Sequence, residues 1–171
     1  MNRLFPILDS NEAAMLLEVP SQDLTYIHQL AESAYLELSA NNDPGAATYA
    51  CITLAEVELR NSNYERAHLF IEKGLTEFPP EIPGPRMSLL VQRARVFART
   101  GEYAQSEFDA ETAVKMMLSM PPSITLANSW ALVARVFVEI GLAERGAFAY
   151  EQAMLIAGLA RDEIDPPEPG L

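Results

Sequence analysis

Apolar side chains recur at helical spacing along most of this chain. Between residues 88 and 100 they fall on one face of a helix. The positions are Leu89, Leu90, Ala94, Val96 and Phe97. The same spacing predicts further helices over residues 22–39, 45–60, 64–77, 103–118, 124–140 and 143–160. No segment alternates apolar and polar residues over the length of a strand, so the expected fold class is all-α.

Breaks between the predicted helices come in two kinds. Gly101 and Gly141 each end a helix, because glycine adopts the left-handed conformation that a helix C-cap requires. Proline clusters separate one pair of helices from the next, since proline lacks an amide donor and clashes with the preceding turn. Those prolines are Pro79, Pro80, Pro83, Pro85, Pro121 and Pro122. The helices should therefore pair as antiparallel hairpins, and three hairpins should stack because one cannot bury its own apolar face.

The chain repeats itself with a period of 39 to 40 residues. Residues 94–101 and 134–141 are identical at five of eight positions. A weaker copy lies 39 residues earlier, where Ala55 precedes Ala94. The three copies span about 45–79, 86–118 and 124–160. A period of this length indicates a repeat architecture in which each unit contacts its neighbours.

The repeats define the expected domain organisation. Residues 21–160 form the helical repeat domain, residues 1–20 an apolar N-terminal segment, and residues 161–171 a flexible Pro-rich tail. The first predicted helix precedes the repeats, and it caps them or forms half of a degenerate fourth repeat. The N-terminal segment is rich in large apolar residues: Leu4, Phe5, Ile7, Leu8, Met15, Leu16 and Leu17. This apolar surface should be buried, against the chain's own repeats or in a second copy, and we favour a homodimer.

The copies resemble the tetratricopeptide repeat, which reads W-x2-L-G-x2-Y, then A-x3-F, then P. Trp130, Ala134, Phe137, Gly146 and Tyr150 carry the resemblance in the third copy. Small residues also recur where the two helices of a hairpin would cross: Ala55, Ala94 and Ala134, then Ala67, Ser106 and Gly146. The resemblance implies a right-handed superhelix of stacked antiparallel hairpins with an N-terminal capping helix.

Two features depart from the tetratricopeptide pattern. The period of 39 to 40 residues exceeds the family's period of about 34. Glu58 and Arg93 stand where the pattern has apolar residues. Another helical-hairpin repeat of the longer kind is therefore the alternative for the fold.

Composition and candidate chemistry point away from catalysis. The net charge of −12 repels phosphate backbones and anionic membranes, so we expect neither nucleic acid nor membrane as a partner. No apolar run approaches the length of a membrane span and no signal segment is apparent, which predicts a cytoplasmic protein. His28, His68 and the single Cys51 lack the spacing of a metal site or a catalytic group, and the glycines form no phosphate loop. We expect no enzymatic activity, no cofactor and no metal.

The resemblance also implies where a partner binds, because the first helix of each tetratricopeptide hairpin lines a concave groove. The groove positions are Tyr49, Ile52, Glu56, Arg60, Val91, Gln92, Arg95, Arg99, Asn128, Leu132 and Arg135. Residues 82–101 hold four arginines and no acid, and Arg135 repeats Arg95 one copy later. Arg95 and Arg135 either bind carboxylates of a peptide or pair with glutamates of neighbouring helices. Those glutamates are Glu56, Glu58 and Glu139.

These features predict a protein–protein interaction adaptor or scaffold that binds another protein or peptide segment in its groove. Small acidic proteins with about three such repeats also resemble bacterial type III secretion chaperones, which hold hydrophobic cargo. A sensor of small molecules or peptides is the third alternative.

Overall fold

The structure is a computed structural model, and it describes residues 23–41, 43–77 and 83–164. These residues form seven helices and no strand, which confirms the all-α prediction. The helices are α1 (Leu24–Ala40), α2 (Pro44–Arg60), α3 (Tyr64–Glu77), α4 (Pro83–Thr100), α5 (Tyr103–Met117), α6 (Ile124–Glu139) and α7 (Ala143–Ile164). The predicted N-terminal segment 1–20 and residues 165–171 of the predicted tail lie outside the described residues. The last helix extends to Ile164, beyond its predicted end at residue 160.

Local side chains explain where several helices begin. Asp23, Asp43 and Ser123 each accept a hydrogen bond from a backbone amide two or three residues further on, over 2.8 to 3.1 Å. These N-caps satisfy amides that have no partner inside the helix. Pro83 and Pro85 do not separate two copies as expected but lie in the first turn of α4. Proline is tolerated there because the first amides of a helix make no intrahelical bond.

One tight turn closes all three hairpins. Gly101 and Gly141 have φ values of 84° and 87°, and Ser62 occupies the equivalent position of the first hairpin with φ 58°. In each case the next amide donates to a carbonyl five residues back, over 2.7 to 2.8 Å. The left-handed residue thus lets the chain reverse while the last carbonyls of the helix stay bonded. The prediction that glycine ends these helices is confirmed at Gly101 and Gly141.

The hairpins contact one another through a repeating set of helix pairs. Within hairpins, α2 packs on α3, α4 on α5, and α6 on α7. Between hairpins, the first helices pack side by side, α2 on α4 and α4 on α6, and each second helix packs on the next first helix. In the part of the chain that the structure describes, α3 does not contact α5, and α5 does not contact α7. None of the described helices is long and apolar enough to cross a membrane.

Small residues allow the two helices of each hairpin to approach closely. Ser106 Oγ donates to the Ala94 carbonyl oxygen over 2.8 Å, and both residues are fully buried. A Cβ atom on Gly146 would lie 3.0 Å from the Ala134 carbonyl oxygen and 2.6 Å from Val138 Cγ2. The predicted close approach is therefore confirmed in the second and third hairpins.

Two charged residues occupy positions that are apolar in the other hairpins. Glu58 is 3% exposed, and its repeat equivalents are Phe97 and Phe137. Its carboxylate lies 3.0 Å from His28 Nε2 and 3.3 Å from Arg66 Nε, so the buried acid has partners on α1 and α3. Such partners offset the cost of removing a charge from water.

Arg93 is the second of these residues, and its equivalents are Leu54 and Val133. It donates to Asp109 over 2.6 and 2.9 Å and to Glu72 over 2.7 Å. Asp109 is only 1% exposed. The hydrogen bond to Asp109 is the largest cause that raises the pKa of Arg93 above its ordinary value, so the guanidinium stays charged.

The seam between helices yields the first prediction. Gly146→Ala should destabilise the fold by about 1–2 kcal/mol, because the new methyl group overpacks the contact with Ala134 and Val138. Ala134→Leu should cost about 1–3 kcal/mol for the same reason. Gly158→Ala is the control, since its Cβ would meet no atom within 4 Å and should add about 0.5–1 kcal/mol of stability. Urea denaturation measures the stability of all three variants. Equal midpoints for the two glycine variants would contradict the close contact of Gly146 with Ala134 and Val138.

The buried pair yields the second prediction. Arg93→Val alone should destabilise by about 3–5 kcal/mol, because it leaves Asp109 buried without its cation. The double variant Arg93→Val, Asp109→Ala carries the residues of the third hairpin, Val133 and Ala149, and should recover most of that loss. Denaturant midpoints of the two single variants and the double variant give the coupling energy. A double variant as unstable as Arg93→Val would show that the Val133 and Ala149 pair of the third hairpin cannot replace Arg93 and Asp109 in the second.

Candidate functional site

Two adjoining depressions lie where α2, α4 and α6 meet, and we call them together the groove. The larger has a volume of about 420 Å³ and the smaller about 290 Å³. Most of the predicted positions line the larger one: Ile52, Glu56, Arg60, Val91, Gln92, Asn128, Leu132 and Arg135. Arg95 and Arg99 line the smaller one, to which Leu132 and Arg135 also contribute. Tyr49 lies on α2 with half of its surface exposed, and it lines neither depression.

The groove gathers equivalent positions of the three repeats. Ile52, Val91 and Ala131 share one repeat position and supply apolar side chains to the larger depression. They are brought together because first helices pack on first helices, which places equivalent residues side by side. The same packing explains why the positions that the tetratricopeptide resemblance implies include most of the residues that line the larger depression.

Sequence reasoning missed three hydroxyl residues in the larger depression, namely Thr53, Thr125 and Ser129. Thr53 is the repeat equivalent of Gln92 and Leu132, so the register could have identified it. Thr53 and Ser129 donate to carbonyls of their own helices over 3.2 and 3.0 Å. Their hydrogen bonds are thus made without a ligand.

Gln92 is a polar residue of the groove, and only one end of its side-chain amide is hydrogen-bonded to the described residues. It is 6% exposed, and its Nε2 donates to the Ile52 carbonyl oxygen over 3.0 Å. Since a carbonyl can only accept, this contact fixes the orientation of the amide and turns Oε1 the other way. Gln92 Oε1 is buried and has no hydrogen-bond partner among the described residues. A buried acceptor without a donor is costly, and a ligand that supplies one gains that energy.

The arginines of the groove differ in their partners. Arg95 forms an ion pair with Glu56, which also lies 3.1 Å from Arg60 Nε. Arg99 Nε lies 3.2 Å from a carboxylate oxygen of Glu139. Internal pairing, one of the two alternatives left open for Arg95 and Arg135, is therefore observed for Arg95, and Arg99 is paired in the same way. Arg135 is exposed and makes no ion pair with any residue in the described ranges.

Other candidate chemistry lies away from the groove. Cys51 is fully buried in the core to which α1, α2, α3 and α4 contribute. His28 contacts Glu58, and His68 packs against Phe97 with ring centroids 5.5 Å apart. Across residues 23–41, 43–77 and 83–164, no three His, Cys, Asp or Glu side chains are grouped as they would be around a metal ion.

Comparison with known proteins assigns the chain to no family. No family model matches it, and no curated protein matches its sequence. The resemblance to tetratricopeptide repeats therefore depends on the residues and helix contacts described above.

The third prediction separates the two arginines that share a repeat position. Arg95→Ala should destabilise by about 0.5–1.5 kcal/mol, because it leaves the partly buried Glu56 with one cation fewer. Arg135→Ala should change stability by less than about 0.5 kcal/mol, as is usual for an exposed side chain without a partner. Thermal or urea unfolding measures both, and equal losses would mean that Arg135 is also paired internally.

Proposed function

We propose that this chain is an interaction module of tetratricopeptide type that binds a segment of another polypeptide in the groove. The observation that carries the proposal is the groove itself, to which the first helices of three successive hairpins contribute. Its partly exposed apolar side chains, Ala131 and Leu132, could cover apolar groups of a segment. Asn128 and Gln92 beside them offer amides that suit a peptide backbone.

The helix contacts support the proposed superhelix. First helices contact one another while the described second helices do not, as expected if the first helices line the inner side of a curved stack. A right-handed superhelix is the arrangement that the tetratricopeptide resemblance implies. In this arrangement α1 is the capping helix, since it packs on α2 as α3 packs on α4. It also begins 40 residues before α3, at Leu24 against Tyr64, which is the repeat period.

The proposed role is that of a cytoplasmic adaptor or scaffold without catalytic activity. The described residues that line the two depressions include no histidine or cysteine, and the carboxylates there, Glu56 and Glu139, are paired with arginines. Such groups favour recognition over proton transfer or nucleophilic attack. The homodimer stays a prediction, because it depends on residues 1–20, outside the described part.

The second candidate is a chaperone of the type III secretion kind that holds a hydrophobic cargo segment. The partly exposed apolar side chains of Ala131 and Leu132 favour it, because they could cover an apolar cargo helix. A sensor of small molecules or peptides remains an alternative prediction. An adaptor and a chaperone differ in their ligands, since a chaperone's cargo should be unstable or insoluble when the protein is absent.

A groove-blocking variant tests the proposal. Asn128 is exposed and lines the groove, so Asn128→Trp should fill the site without disturbing the core. Partners captured from a host lysate by the wild-type protein should bind the variant at least about tenfold more weakly, a loss of about 1.4 kcal/mol. Gln105→Trp is the matched control, because Gln105 is also an exposed amide but lies on α5, which contributes nothing to the groove.

Titration of the captured partner by calorimetry measures both variants, and circular dichroism checks that each remains helical. Equal binding by the wild type and Asn128→Trp would place the interaction elsewhere and refute the groove as the binding site.

A further inference from the structure

One repeat position of the groove is charged in all three hairpins. Glu56, Arg95 and Arg135 are equivalent residues, separated by 39 and 40 positions, and they lie on α2, α4 and α6. Because adjacent first helices are in contact, Glu56 and Arg95 form an ion pair across α2 and α4. The series then ends, and Arg135 has no carboxylate of the described residues within ion-pair distance.

One turn further along the same helices, a second series of equivalent charged residues also forms an ion pair, but between its second and third members. Arg60, Arg99 and Glu139 are equivalent residues, and Arg99 pairs with Glu139 across α4 and α6. The side chain that could have neutralised Arg135 within its own helix, Glu139 one turn later, is therefore engaged with Arg99. Arg135 is thus the end of a ladder of alternating charges, and no carboxylate of the described residues neutralises it.

The groove is a positively charged region on an acidic protein. Among the described residues, four arginines and two glutamates line its two depressions, and these side chains sum to a formal charge of +2, whereas the whole chain carries −12. The arginines are Arg60, Arg95, Arg99 and Arg135, and the glutamates are Glu56 and Glu139. An acidic ligand is therefore attracted to this site and repelled by most of the remaining surface.

A second, independent observation concerns hydrogen bonding. Gln92 lies on α4 in the larger depression, which Arg135 also lines, and none of the described residues donates to its buried Oε1. A carboxylate ligand alone could not satisfy this atom, because a carboxylate offers no hydrogen to donate. A peptide supplies both groups, since its backbone amides donate while an Asp or Glu side chain accepts.

We propose that the groove binds an acidic polypeptide segment, with an Asp or Glu side chain paired to Arg135 and a backbone amide donating to Gln92 Oε1. This inference rests on the proposed function and specifies the chemistry of the partner. The segment completes the ladder in the way that Glu56 completes it for Arg95. Its apolar side chains lie against Ala131 and Leu132.

The experiment uses the full chain and an array of immobilised 15-residue peptides of random sequence. Peptides that bind the wild type but not Asn128→Trp are synthesised in two forms, one unchanged and one with every Asp and Glu replaced by Asn and Gln. Their affinities for the wild type, Arg135→Glu and Lys115→Glu are then measured by fluorescence polarisation at several salt concentrations. Lys115 is the matched control, because it is an exposed cation on α5, and its reversal changes the net charge by the same amount.

The acidic form should bind the wild type about tenfold more tightly than the amide form, and Arg135→Glu should remove that difference. Lys115→Glu should retain it. A peptide with Lys in place of the critical acid should recover binding to Arg135→Glu, which a contact at a distance would not produce. Binding should also weaken as salt rises, because part of the attraction is screened.

Two results would overturn the inference, and they are distinguishable. Peptides that are blocked by Asn128→Trp but indifferent to acid content and to Arg135→Glu would refute the acidic partner and leave groove binding intact. An array in which no peptide is blocked by Asn128→Trp would refute the proposed function and this inference together. Gln92→Met tests the second contact, because it keeps a similar shape without the acceptor, and unchanged affinity would remove the backbone bond from the proposal.

Discussion

The close approach of the two helices in each hairpin is the constraint on which the rest of the structure depends. It requires small residues at two facing positions, as Ser106 against Ala94 and Gly146 against Ala134 show. With the hairpin fixed in this way, each unit presents the same faces to its neighbours, and stacking becomes periodic. Equivalent residues of successive first helices then lie side by side. The groove and its charge ladder are consequences of that register rather than of any local motif.

Much of the fold could be predicted because the signals were local or periodic. Helix spacing, Gly101 and Gly141 at helix ends, and the small-residue positions each depend on the chain's own backbone geometry. Pro83 and Pro85 were misassigned for a physical reason. The same missing amide that makes proline end a helix also makes it acceptable in a first turn, and only the position of the helix start distinguishes the two.

The candidate site was predictable in position but not in pairing. The repeat register places Arg95 and Arg135 in one series, yet it does not show that Glu56 pairs with Arg95 while no carboxylate of the described residues pairs with Arg135. Ion pairs depend on the directions of the side chains and on which oppositely charged neighbours are within reach. Glu139, for example, pairs with Arg99. The buried acceptor of Gln92 could not be predicted from the sequence either. It depends on the tertiary contact in which Gln92 Nε2 donates to the Ile52 carbonyl oxygen, and none of the described residues donates to Oε1.

The selectivity of the groove depends on two opposing charges, the positive charge of its arginines and the negative net charge of the whole chain. A chain of net −12 repels acidic molecules at a distance, but at physiological salt this repulsion decays over about 8 Å. Within the groove Arg95 and Arg99 are already paired with Glu56 and Glu139, so their charges are largely balanced before a ligand arrives. An acidic segment therefore gains most at Arg135 alone. One charge at a defined point, beside apolar side chains and a buried acceptor, selects for the placement of an acid rather than for acidity in general.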